Sequence, residues 1–393
     1  MDSKKNSPIP SSPGDDSLVR GGLFYQAQHA IGMMHPNQWN LGRRIALLLA
    51  IGWLPLSIIT AIANPDGLLS LLKDYRVHSR ILIAVPVLLI GESFIDGRFR
   101  TVFGHLHRVG LLEAADLAHI DGVIARLVRL RDSVLPEIAI LLLVVAHTAT
   151  AYKGLVDTAP WLSHMSAGGL HLTAAGWYAI VVSISIFQFL LGLALWRWLL
   201  WTFFAFKLSK ANLKLIPTHP DGHGGLGFLG LTSAAFAPIA FTASAVIAAT
   251  WRNDILHHGA HLLDFKLPAI ALIAAIALLA LGPLAFFVPR LAELRRNGIL
   301  EYGILGQLHS TEFHNKWILY RGGRDVEFLA APEISTLAQY GNAYERIETM
   351  SFLLADKGSL YTLVGAVLIP ALPAILAEVP VAVVLQDLLK ALR

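Results

Sequence analysis

The thirty residues WYAIVVSISIFQFLLGLALWRWLLWTFFAF, Trp177 to Phe206, contain one charged side chain, Arg197. A hydrocarbon core about 30 Å thick needs roughly 20 mostly apolar residues in a helix, so this stretch reads as a membrane span with length left over to tilt or project. Six further stretches qualify or nearly so: 45–63, 81–95, 135–152, 231–251, 267–288 and 360–384. The stretch 81–95 is short and interrupted by Pro86 and Glu92. The stretch 360–384 contains Pro370, Pro373 and Pro380, so it kinks or ends early. The fold class implied is all-α, a polytopic membrane helix bundle of about seven transmembrane helices.

Whole-chain composition agrees. Of 393 residues, 55% are hydrophobic and only 15% charged, with a mean hydropathy of +0.58. A soluble domain carries about 25% charged residues, so a water-soluble globule is excluded. Disordered polyampholytes and fibrous repeats are excluded as well, the first by sparse charge and the second by the lack of a repeat. Cysteine is absent, which removes disulfides, thiolate metal sites and cysteine nucleophiles. The net charge of +4 is small, and its placement matters more than its size.

Lysine and arginine alternate sharply between connections. Those before the first span and after the second, fourth and sixth hold 22, against 6 in the others. The positive-inside rule then puts the N-terminus in the cytoplasm, and seven spans put the C-terminus in the periplasm. Residues 1–40 read as a solvated, disordered cytoplasmic tail, because 1–20 are rich in Ser, Pro, Asp and Lys without an apolar period. The first long apolar run starts near Ile45, too late for a cleaved signal peptide, so the tail is expected to stay attached. Residues 41–393 form the transmembrane domain, with cytoplasmic connections 97–134, 208–230 and 290–357. In the first, Val123, Leu127 and Leu130 interleave with Arg126, Arg129 and Arg131 as in an amphipathic helix. The last predicts a helix over 290–307, a break at Gly322-Gly323 and a second helix opened by Pro332-Glu333, together a small helical cytoplasmic cap.

Three phrases stand out: Arg129-Leu130-Arg131-Asp132-Ser133 with Pro136-Glu137; Pro217-Thr218-His219-Pro220-Asp221 running into Gly224-Gly225-Leu226-Gly227-Phe228; and Leu300-Glu301-Tyr302-Gly303. With them the chain, from about the first span to the seventh, resembles an uncharacterised family of bacterial multi-pass membrane proteins. The resemblance implies a bacterial inner (cytoplasmic) membrane location and brings no activity with it.

Four constellations could carry chemistry. In the first, His219, Asp221 and His223 alternate along an extended chain and could ligate a divalent metal. The same loop reads as a turn, since Pro220, Asp221 and Gly222 occupy favoured turn positions. Gly222, Gly224 and Gly227 match G-x-G-x-x-G, although a dinucleotide site needs a βαβ unit and spans flank this loop instead. Gly224, Gly225 and Gly227 also precede the fifth span, whose free N–H groups could bind an anion. The second constellation is Glu92, Glu137 and Arg197. Arg197 lies 20 residues into its span, about 30 Å along a helix, so all three reach the inner face. There, Arg197 either pairs with Glu92 or Glu137 as the floor or gate of a vestibule, or snorkels to head groups within a belt of Trp196, Trp198 and Trp201.

The third is histidine on the outer side. His164 and His171 sit in one loop, and His257, His258 and His261 in another near Asp254 and Asp264. His257 and His261, four apart, would share a helix face suited to Zn²⁺ or Cu²⁺; the alternative is exposed histidine without a metal. Deeper, His147 reads as a hydrogen-bonded core group. The fourth, His309, Glu312 and His314, has the wrong spacing for H-E-x-x-H. Pro370 and Pro373 could expose backbone carbonyls at membrane depth.

Three functions follow as expectations. The first is a channel or small-solute or ion transporter, the second a membrane-anchored assembly or sensor protein using the cap as partner surface. The third is a membrane-embedded, metal-dependent enzyme with His219, Asp221 and His223 around the metal. No cofactor is expected apart from that divalent metal. The partners expected are the lipid bilayer, a small solute or ion and further copies of the chain, with no nucleic acid.

Overall fold

The computed structural model describes residues 17–34, 39–155, 161–166, 169–319 and 332–378. Among them the chain is almost wholly helical, apart from a two-stranded antiparallel hairpin of β1 (Ser163–Ser166) and β2 (Gly169–Leu172). Five helices are long and apolar enough to cross a membrane: Leu41–Ala63, Ala174–Lys210, Gly227–His258, Leu262–Ala285 and Lys357–Ile375. A sixth arises if Ala114–Asp132 and Val134–Thr150, bent by 48° at their junction, count as one span. These are the proportions of a multi-pass membrane protein.

The chain opens with α1 (Gly22–Ala30) and α2 (Leu41–Ala63). A short α3 (Pro65–Leu72) follows, started by Pro65 in its first turn and by the Asn64 side chain accepting the Gly67 N–H at 3.0 Å. Next come α4 (Tyr75–His78), a π-helical turn over Ser79–Ala84 and α5 (Val85–Arg108). Pro86 explains that widened turn. It has no N–H to donate, and the Val85 N–H reaches back five residues to the Arg80 carbonyl. Helices α6 (Ala114–Asp132) and α7 (Val134–Leu155) meet at Ser133, whose extended backbone makes the bend.

After the hairpin, α8 (Ala174–Tyr178) passes through a second π-turn (Ala179–Ile184) into α9 (Ser185–Lys210). A loop then leads to α10 (Ala237–His258) and α11 (Lys266–Ala285). Helices α12 (Val288–His314), α13 (Pro332–Glu348) and α14 (Lys357–Ile375) complete the described chain. The second helix opened by Pro332 is therefore present as α13, while the Gly322-Gly323 break lies outside the described residues. Connection 208–230 narrows, because α9 runs to Lys210 and a 3₁₀ turn starts at Gly227.

Contacts sort the connections into two ends. At one, the Lys214 N–H donates to the Leu111 carbonyl at 2.8 Å and the Ser351 N–H to the Gly222 carbonyl at 3.1 Å. Pro217 there packs against Gly298 of α12. At the other, Trp161 Nε1 donates to Asp74 at 3.2 Å, Arg252 lies 4.4 Å over the Tyr75 ring, and His261 pairs with Glu378 at 3.2 Å. The largest apolar core lies toward the first end. Phe99 stacks on Trp201 at 4.8 Å and Phe103 meets Phe204 edge-on at 4.9 Å, fixing α5 against α9.

One expectation is corrected here. The solvated tail does not extend over all of 1–40: Ser17, Leu18 and Val19 are buried and Gly22–Ala30 is a helix. Leu18, Val19 and Phe24 give the segment that follows the polar residues 1–16 enough apolar surface to dock. Residues 1–16 and 35–38 lie outside the described residues.

Candidate functional site

The helix rise of 1.5 Å per residue puts Glu92 of α5 and Arg197 of α9 at one depth, and they meet there. Arg197 Nη1 is 2.9 Å from Glu92 Oε1. The other carboxylate oxygen takes Arg44 Nη2 of α2 at 2.5 Å, and Arg44 Nε donates to Gln28 Oε1 of α1. Arg44, Glu92 and Arg197 are 2%, 4% and 8% exposed, so one buried carboxylate serves two buried guanidinium groups. A turn further along α5, Asp96 pairs with Arg100 at 3.0 Å and Arg20 at 3.5 Å and accepts the Ser17 hydroxyl. Arg20 and Arg44 also lie over the Trp39 ring, at 4.8 and 6.0 Å.

Glu137, the third charge expected at this depth, has a different partner. Its carboxylate accepts the N–H of Phe24 at 2.9 Å, and that of Leu23, so it caps the N-terminus of α1. Gly22 makes the approach work: its φ is +86°, and a Cβ there would fall 2.1 Å from Glu137 Oε1. Arg131 donates to the Ser17 carbonyl and pairs with Asp132 at 2.7 Å. Residues 17–34 therefore form a plug over Glu92, Arg197 and Glu137, and the space left between plug and charges is about 20 Å³, room for about one water. Arg44 Nη1, beside it, has no hydrogen-bond partner among the described residues.

Sequence reading missed Arg44, Gln28 and the plug. Arg43-Arg44 looked like a flank for the positive-inside count. The legible signal was Gly21-Gly22 after Arg20, a pair of glycines where a close backbone approach was about to occur.

No protein-family model, curated protein or solved structure matches this chain. The family likeness of the motifs thus rests on their residues alone, and the chemistry has to be argued from the geometry.

The glycine-rich loop is a turn that binds its own anion. Asp221 accepts backbone N–H groups from His223 at 2.8 Å, Gly225 at 3.1 Å and Gly227 at 2.8 Å, and sits 2.8 Å from His219 Nδ1. Gly222, Gly224 and Gly225 have φ of +67°, +66° and +99°, the left-handed backbone that turns those amides inward. Burial pushes the Asp221 carboxyl up, but the three amides and the His219 contact outweigh it and hold it below its ordinary value. The anion site expected before the fifth span is thus filled from within the chain. His223 turns to the Ser351 carbonyl at 3.1 Å, locking the loop to the segment after α13.

Among the described residues no three His, Asp or Glu side chains are grouped to hold a metal. His257 and His261 do not share a helix face. Gly259, at φ +67°, ends α10 after His258, and His261 starts the next turn with its N–H on Asp264 at 2.8 Å. His258 pairs with Asp254 and His261 with Glu378. His147 is bonded to Gln188 at 2.9 Å. The α14 helix runs unbroken through Pro370 and Pro373 to Ile375.

Proposed function

We propose that this chain is a bacterial inner-membrane protein of seven crossings, its N-terminus cytoplasmic and its C-terminus periplasmic, of the channel or small-solute transporter class. In this reading its cytoplasmic mouth is closed by its own residues 17–34. Support for seven comes from the two ends: seven helical runs link them (α2, α4–α5, α7, α8–α9, α10, α11 and α14). The end carrying Gly224 also gathers the lysine- and arginine-rich connections. Five or six of these runs qualify by length and hydropathy alone. The α4–α5 run, which carries Arg80, Glu92 and Asp96, is not among them.

The single observation that carries the reading is the buried Arg44–Glu92–Arg197 network under residues 17–34. Intramembrane charge is expensive, faces partners or aqueous paths, and marks ion routes. Counting Arg20 and Arg100 with Asp96, four guanidinium groups meet two carboxylates in these pairs with Glu137 as a third beside them, and the one positive charge left over favours an anion. Opening requires the plug to leave Glu137.

Gly22→Ala is the variant that forces this, since its Cβ collides with the Glu137 carboxylate. Reconstituted in liposomes, wild-type protein is expected to pass little chloride, and Gly22→Ala severalfold more. Silence of both across anions and cations would overturn the transport reading. Weight would then move to an assembly role, which one feature favours: Leu300, Ile304 and Leu308, spaced by four on α12, are 61–67% exposed.

A further inference from the structure

A cavity of about 930 Å³ lies away from the charged site, between α7 and α9. Its wall is apolar for most of its length, from Leu135 and Leu199 at the Gly224 end up past Leu143, Phe187 and Leu191. At the far end it meets Arg80, on the π-turn that Pro86 imposes. Arg80 precedes Glu92 by 12 residues, so it stands about 18 Å from the depth of the Glu92–Arg197 pair. Its neighbour Arg76 takes Asp74 at 3.1 Å. Among the described residues no carboxylate lies within ion-pair distance of Arg80.

Long apolar groove and lone cation together specify an amphiphile. We propose that this groove is a binding site for an anionic phospholipid of the periplasmic leaflet, its phosphate on Arg80 and one acyl chain running down between α7 and α9 toward Trp196. A neutral ligand would leave Arg80 without an ion-pair partner among the described residues, and a small anion would leave the groove unfilled. Glycine at 192 allows α7 to lie close below the groove, since a Cβ there would sit 2.5 Å from Ile140. The His147–Gln188 hydrogen bond gives the wall a polar patch a step below the head group. This site is independent of the transport path; it rests on the proposed orientation, which puts the Arg80 end in the periplasmic leaflet, and on α7 and α9 lying in lipid.

The test uses full-length protein in nanodiscs of equal phosphatidylglycerol and phosphatidylcholine, released into detergent and weighed by native mass spectrometry. Wild-type protein is expected to retain one phosphatidylglycerol in about fivefold preference over phosphatidylcholine, the value of one basic side chain at a lipid surface. Arg80→Gln should lose that preference and Arg80→Lys should keep most of it. Ala139→Phe, which fills the groove from an exposed position on α7, should lose the retained lipid while preserving the melting temperature. Equal retention of both lipids by wild type, or an unchanged preference in Arg80→Gln, would overturn the proposal. If Arg80→Gln fails to fold, Ala139→Phe decides: lipid retained at the wild-type level would also overturn it.

Discussion

Replacing Glu92 by alanine is expected to destabilise the protein by about 3–5 kcal/mol, the largest effect of any single substitution at the charged site. The reason is the two-to-one stoichiometry. Glu92 is the carboxylate for both Arg44 and Arg197, which are almost wholly buried, so its removal leaves two guanidinium groups facing each other without compensation. Arg197→Ala should cost less, because Glu92 keeps Arg44 at 2.5 Å. Thermal or denaturant unfolding in detergent measures both, and a double-mutant cycle should give a coupling well above the scatter expected for independent sites. Equal losses for the two single variants, or a Glu92→Ala loss under about 1 kcal/mol, would show that the pairs are solvated.

The second large effect is expected at Asp221. Asp221→Ala leaves three backbone N–H groups of a half-buried turn without an acceptor, a loss of about 1–3 kcal/mol. Its pH dependence is set by the direction of its pKa. The folded carboxyl is held below the unfolded value of about 3.9, so its stabilisation is complete above that pH and disappears as pH falls toward the folded value. Wild-type protein should therefore lose stability below about pH 4 more steeply than Asp221→Asn, and the two should run parallel from pH 5 to 8. A parallel course down to pH 3 would mean that the carboxylate is not what holds the glycine turn.

How much of this was legible in the sequence depends on the range of the interaction. The apolar helices were legible because a span is a local property of about 20 residues. The shared depth of Glu92 and Arg197 was legible by counting 1.5 Å per residue from opposite ends, but not the choice between a pair with Glu92, a pair with Glu137 and snorkelling to head groups. Arg44 was not, because a basic residue beside a span has a ready explanation as a topological flank. The docking of residues 17–34 rests on contacts more than a hundred residues apart in sequence, Phe24 with Glu137 and Ser17 with Arg131, and the polar residues 1–16 ahead of it concealed it. In the glycine loop, Pro220 and Gly222 announced the turn. The acceptor role of Asp221 needed the actual backbone angles. His257 and His261 were misjudged by reading four-residue spacing across Gly259, a helix terminator in plain sight.

Transport and lipid binding both presuppose one arrangement: the Gly224 end in the cytoplasm and the Asp74 end outside. The absence of cysteine makes this directly measurable, because each introduced thiol reports alone. Exposed positions are available at both ends, Ala115 and Glu301 at the first, Asp66 and His257 at the second. In intact cells a membrane-impermeant maleimide should label Asp66→Cys and His257→Cys, while Ala115→Cys and Glu301→Cys should react only after permeabilisation. Labelling of Ala115→Cys or Glu301→Cys in intact cells would contradict the arrangement.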